Sequence, residues 1–141
     1  MIVNGLKVPV ELESDLASGG YVLSNAEKIR FKELLSYLEN PLPRLYDYDQ
    51  IVLENQLWGS ESARDYLGVA SDRFAPGDVD PQRTLIIGEA EPDSPIALDF
   101  RTDGPRVVYL GDADHVSYWI QLSSDYRSLL DLLRSESSGP V

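Results

Sequence analysis

His115 is the only histidine in 141 residues, and it stands beside Asp112 and Asp114 in the stretch GDADHV. An imidazole next to carboxylates is the kind of group that ligates a metal or acts as a general base. One imidazole and two near-adjacent carboxylates make an incomplete ligand set, however, and His115 reads as a strand-entry residue among solvated turn acids. A Ser-His-Asp arrangement would have to use this same residue. There is no cysteine, which excludes thiolate catalysis, thiolate metal sites and disulfides. Asp78-Val79-Asp80 and Asp112-Ala113-Asp114 do not continue into the spaced acids and glycine of a calcium loop. Gly88 and Gly111 lie in strand patterns without a glycine-rich phosphate loop around them. The expectation is a non-enzymatic protein with no cofactor and no metal.

The other chemistry in the chain is that of a binding surface. Within Ser94–Leu122, Ile96, Leu98 and Phe100 alternate with Ala97, Asp99 and Arg101, the period of a strand with one buried face. Thr102-Asp103-Gly104-Pro105 is turn chemistry, and Arg106–Leu110 follows as a β-branched and aromatic run. After the acidic turn at Gly111–Asp114, Val116, Tyr118, Ile120 and Leu122 share one face, with Ser117, Trp119 and Gln121 on the other. The second face of this meander thus offers Asp99 and Trp119. Tyr109 joins them if the first loop has the right length, since one residue more or less flips its face. Aromatics beside carboxylates have the composition of a protein-binding patch. Trp119 is equally compatible with a helix lying over it. The candidate partner-binding residues are therefore Asp99, Asp103, Tyr109, Asp112, Asp114 and Trp119.

The elements that position these residues can be read from pattern. Ser24-Asn25-Ala26-Glu27 is a capping box, and Phe31, Leu34, Leu35 and Leu38 follow at helical spacing, predicting a helix over 25–39. Asn40-Pro41-Leu42-Pro43 ends it. Asp47 or Asp49 can cap a helix carrying Ile51, Val52, Glu54 and Leu57, which stops at Trp58 before Gly59. Residues 71–82 read as a polar loop. Thr84–Ala90 reads as a central strand because consecutive apolar positions imply burial on both faces. Strands are expected at 96–101, 106–110 and 116–122. A helix is expected at about 124–134, with Tyr126, Leu129, Leu130 and Leu133 on one stripe. Residues 135–141 are expected to fray. In the first 23 residues Leu6, Val8, Val10 and Leu12 alternate as in a strand, but Pro9 argues against a central one.

The run PIALDFR, a turn, RVVYLGD, a Trp-bearing strand and SSDYRSLLDLL together resemble the SUKH superfamily. These are bacterial toxin-immunity proteins related to fungal cell-wall-assembly regulators. Asp99 matches the family's "hydrophobic-Ala-hydrophobic-Asp" strand, Val108-Tyr109 its "Val-Tyr" strand, and Ser123-Ser124-Asp125-Tyr126 the start of its terminal helix. Tyr126 stands where the family usually has Phe. The resemblance spans roughly residues 42–134. It implies an α+β domain with N-terminal helices, a four- to six-stranded largely antiparallel sheet with helices on one face, and a C-terminal helix packed on that sheet. By the same analogy Tyr66–Ala70 is expected as a short strand, and Val8–Leu12 followed by Gly19-Gly20 as a shortened form of the family's early helix segment, with Pro9 in the helix's first turn. The implied function is binding and neutralising a toxin domain, often a nuclease. A regulatory interaction scaffold is the alternative, and a metal-dependent hydrolase using the acidic turns is a third reading.

Composition fits one domain spanning 1–141, 43% hydrophobic and 26% charged. Twenty-four acids against twelve Lys and Arg give a net charge of −12. Residues 78–114 alone hold nine acids against Arg83, Arg101 and Arg106, a net −6. Such a surface repels nucleic acid and anionic membranes and attracts basic partners. No apolar run approaches the ~20 residues of a membrane span. The segment MIVNGLKVPVELES lacks the basic start and apolar core of a signal peptide, so a cytoplasmic location is expected.

Overall fold

A computed structural model describes residues 1–60 and 62–135. The tail expected to fray lies outside the described residues apart from Ser135. The chain opens with a small hairpin, β1 (Ile2–Val3) and β2 (Leu6–Lys7), followed by α1 (Val10–Ala17) and α2 (Asn25–Leu34). Next come β3 (Arg44–Leu45), α3 (Tyr48–Ser60), a 3₁₀ turn at Ser62–Asp65, β4 (Pro76–Gly77) and a second 3₁₀ turn at Pro81–Arg83. The meander is β5 (Thr84–Glu91), β6 (Ser94–Asp99), β7 (Arg106–Ala113) and β8 (Val116–Ser123), and α4 (Tyr126–Arg134) closes the fold. The main sheet has six strands in the order β3-β5-β6-β7-β8-β4, every neighbouring pair antiparallel. This is the expected α+β architecture.

Local chemistry explains the element starts. The Ser24 hydroxyl accepts from the Glu27 amide at 3.1 Å and Glu27 accepts from the Ser24 amide at 2.9 Å, the reciprocal box that starts α2. Asp125 caps α4 by accepting from the Ser128 amide at 2.7 Å. Pro9 occupies the N-cap position of α1, just before the helix and without a side-chain capping bond, so the stretch is helical as the resemblance implies, while β1 and β2 precede it. Helix α2 stops at Leu34, five residues short of the expected end. Leu35 leaves the helix fully buried, and the following turn carries the Tyr37 amide to the Tyr109 hydroxyl at 3.3 Å. The Asp112 amide then donates to the Tyr37 carbonyl at 3.0 Å. Tertiary bonds to the sheet replace another turn of helix.

Residues opposite one another in the ladder share a face. Leu85, Leu98 and Val107 line up on one face, and Ile86, Ala97 and Val108 on the other; all six are buried. Helix α4 packs on β7 and β8 and touches α1 and α2. Its Tyr126 hydroxyl donates to Asp15 of α1 at 2.7 Å. The opposite face is closed by the end of α3 and residues 62–83. There Trp58 meets Trp119 edge to face at 6.2 Å, and the Trp119 indole donates to the Tyr66 carbonyl at 2.7 Å. The sheet is therefore covered on both faces, where one covered face was expected.

The segment that provides this second cover is also where the strand expected at Tyr66–Ala70 is missing. Gly68 makes a single bridge to Asp78, and the loop expected at 71–82 contributes the edge strand β4 and a 3₁₀ turn. Gly68 has φ +72, and a Cβ there would stand 2.3 Å from the Gly77 carbonyl oxygen and 2.7 Å from Trp119. Only glycine lets the chain press this closely on the tryptophan.

Candidate functional site

The six residues expected to form one binding patch are distributed over three environments. Asp99 is fully buried at the foot of β6. Its carboxylate accepts from the Arg101 amide at 3.1 Å, from Arg101 Nε at 3.0 Å and Nη2 at 3.2 Å, and from Arg106 Nε at 2.9 Å. Arg101 also donates to the Asp78 side chain at 3.2 Å and its carbonyl at 2.6 Å. Burial alone would raise the Asp99 pKa. The bonds from Arg101 and Arg106 outweigh it and hold the carboxyl below the usual range. Asp99 is thus a knot fastening β6, β7 and the Asp78 loop, and the expectation that it faces a partner is corrected.

Tyr109 and Trp119 are corrected in the same way, being 1% and 0% exposed. The Tyr109 phenol receives the Tyr37 amide, and Trp119 is roofed by residues 62–83. The alternation of β8 correctly separated Trp119 from Tyr118 and Ile120. What it could not reveal was the segment arriving from elsewhere in the chain to cover the second face.

The exposed acids divide between the two ends of the sheet. Asp103 lies in the β6–β7 turn, whereas Asp112 stands near the far end of β7 and Asp114 in the β7–β8 turn. At a strand rise near 3.3 Å, the stretch of β7 from Arg106 to Asp112 spans about 20 Å, so the three do not form one patch. Asp112 and Asp114, with His115, Glu39 and Glu91, line a recess of about 640 Å³ whose wall is the Ser36–Asn40 turn. Asp114 is met by Arg73 at 3.3 Å in an exposed pair, which contributes little. Asp114 and His115 both have positive φ, 55° and 65°, completing a tight hairpin turn.

The tip of the β5–β6 hairpin separates this recess from a larger cleft of about 780 Å³. The cleft is lined by residues of β3, α3, the first 3₁₀ turn and the β5–β6 hairpin. Arg44 stands over the Tyr46 ring, 5.2 Å from its centroid, and pairs with Glu89. Tyr66 donates to Asp93 at 3.2 Å. Burial, followed by the charges of Glu89 and Glu54, pushes the Tyr46 phenol up to about 12. Burial and Asp93 raise Tyr66 in the same direction. Sequence reasoning missed this cleft. Its residues come from four separate elements, and no spacing along the chain brings them together.

Among the described residues, Glu39, Glu91, Asp112 and Asp114 in one recess and Glu54, Asp65, Glu89 and Asp93 in the other are set against three guanidiniums, those of Arg44 and Arg64 in the cleft and of Arg73 on Asp114. This end of the sheet is an acidic, concave surface with an aromatic wall. Among the described residues no group of three or more His, Asp or Glu is placed to hold a metal ion, and no helix is long and apolar enough to cross a membrane. The fold defines an α+β protein built on a six-stranded antiparallel sheet with its candidate site at one end. In comparisons with family models, curated proteins and solved structures, nothing matches the chain.

Proposed function

We propose that this chain is a binding protein of the SUKH immunity type that captures and neutralises a basic toxin domain, such as a nuclease, in the cytoplasm. The observation that carries this reading is the excess of carboxylates around the two recesses at one end of the sheet. A nuclease is basic where it meets its substrate, and an acidic protein can be steered to that surface and cover it. The motif resemblance through Asp99, Val108-Tyr109 and Ser123–Tyr126 supports the same class. The buried state of Asp99 and Tyr109 gives those motif residues a structural role, which leaves the interface to exposed surface acids.

A regulatory scaffold is the second reading. It is favoured by exposed aliphatic residues on separate elements, including Val10 on α1, Ile29 on α2 and Leu53 on α3. The two differ in partner number: immunity requires one tight partner, a scaffold several modest ones.

The test is stopped-flow association with a catalytically inactive toxin encoded beside this protein. Exposed acids act over about 8 Å at physiological salt, so their effect falls mainly on the association rate. The Asp112→Asn/Asp114→Asn protein should associate several-fold more slowly at low salt and show a flatter salt dependence, with dissociation unchanged. Tight binding indifferent to salt and to both substitutions would move the interface elsewhere. Absence of any tight partner would favour the scaffold.

A further inference from the structure

We infer that the cleft beside α3 is a receptor for a cationic side chain, an arginine or lysine presented by the partner. This inference rests on the reading of the chain as a protein that binds a basic partner. Three features of the cleft fit a cation. Its lining includes the half-buried Tyr66 beside the buried Tyr46 and Trp58, and an accessible aromatic ring offers an electron-rich face to ammonium and guanidinium groups. Arg44 already lies over Tyr46 in that geometry, held by Glu89. With Arg44 and Glu89 engaged by each other, Glu54, Asp65 and Asp93 remain against Arg64, leaving the cleft net negative. Burial is the main cause of the raised pKa of both tyrosines, and the charges of Glu89 and Glu54 at Tyr46 and of Asp93 at Tyr66 add to it.

Size and apolar surface also fit. A volume of about 780 Å³ exceeds what one side chain needs and admits the flanking backbone. Leu57, 50% exposed at the rim, offers a surface along which the aliphatic stem of Arg or Lys can lie. The smaller recess is lined mainly by acidic and polar groups, with Tyr37 and the half-buried Leu38 as its apolar part and His115 beside them. The structure therefore assigns different tasks to the two: the Asp112 recess attracts, and the α3 cleft holds.

The experiment follows backbone and indole NMR signals of the full chain during titration with three probes. These are a capped Gly-Gly-Arg-Gly-Gly peptide, its citrulline counterpart and its glutamate counterpart. The arginine peptide should shift signals of Tyr46, Tyr66, Asp93 and the Trp58 indole in a saturable way, with a dissociation constant of about a millimolar. The citrulline and glutamate peptides should leave them in place. Glu54→Gln/Asp93→Asn should weaken the arginine peptide about tenfold, whereas the equal-charge variant Asp112→Asn/Asp114→Asn should not. Unchanged spectra of the free variants elsewhere in the chain establish that both remain folded. Equal weakening by the two variants, shifts spread over both ends of the sheet, binding of citrulline or glutamate as tight as arginine, or no shift at all would each overturn the inference. If the toxin still binds through Asp112 and Asp114 while the cleft signals stay still, only the cleft assignment falls. If no basic protein binds at either place, the broader reading falls with it.

Discussion

At the end of the sheet where β6 turns into β7, Asp99 is buried between Arg101 and Arg106, and Arg101 reaches on to Asp78. At the end where β7 turns into β8, Asp112 and Asp114 are exposed beside Glu39, Glu91 and His115, and the one ion pair among them is the surface contact of Asp114 with Arg73. The two ends carry the same residue types a few positions apart in sequence. They differ in partners. A buried carboxylate must be paired, because desolvating a lone charge costs more than the fold can absorb. An exposed carboxylate needs no partner, and so its field remains available to another molecule. The charge balance of residues 78–114 therefore mixes two quantities: charge already used to close the fold and charge left over for association.

The comparison breaks most readily at Asp99. Asp99→Asn leaves Arg101 and Arg106 facing an uncharged group in a buried setting, and unfolding in urea should show a loss of about 3 kcal/mol. The pH dependence has a definite sign. The folded-state pKa of Asp99 is depressed, so its contribution is fully present above the unfolded value near 3.9 and is lost as pH falls through the folded value. Wild-type stability should fall on acidification below about pH 4, and the Asp99→Asn protein should lose that part of the fall. Equal acid sensitivity of the two proteins would mean that Asp99 is not held by its arginines.

A smaller effect sharpens the contrast at the opposite end. His115 adopts φ 65°, a left-handed conformation that glycine occupies without a Cβ penalty. His115→Gly should raise stability by about 0.5 kcal/mol, the relief of backbone strain being partly offset by a freer unfolded chain. If the same substitution slows capture of the proposed toxin partner, the imidazole is kept for contact and not for the turn. The smallest effect is expected for Asp103→Asn. This residue is exposed in the β6–β7 turn, so stability should change by less than about 0.5 kcal/mol. About 20 Å of β7 separates it from Asp112, beyond the screening length, so association with the proposed toxin partner should also be unaffected. A change in association rate as large as that of Asp112→Asn/Asp114→Asn would erase the distinction between the two ends.

Much of the architecture was legible along the chain because it depends on short-range chemistry. The capping box at Ser24, the stripe Tyr126, Leu129, Leu130 and Leu133, and the alternation in β5 to β8 each report a local preference for burial or for a hydrogen-bond partner. The antiparallel meander follows, since each of its turns joins neighbours. Pattern overreached where a local preference was overruled at long range. Leu35 ends α2 early to enter the core. The family analogy overreached at Gly68, which runs against Trp119 instead of extending a strand.

The fate of the candidate site residues shows where the boundary lies. Alternation along β6 and β8 established that Asp99 and Trp119 occupy the face opposite Leu98 and Ile120, and the register agrees. Whether that face meets water was decided by α3 and residues 62–83, which are far away in the chain and fold back over it. The α3 cleft depends even more on tertiary structure, because Arg44, Glu54, Tyr66 and Asp93 approach one another only once the sheet has formed. Sequence by itself determined which side chains alternate and which turns carry charge, for those are properties of neighbours along the backbone. The tertiary structure decided which charges are spent within the fold and which remain free, because pairing and desolvation depend on distance in space.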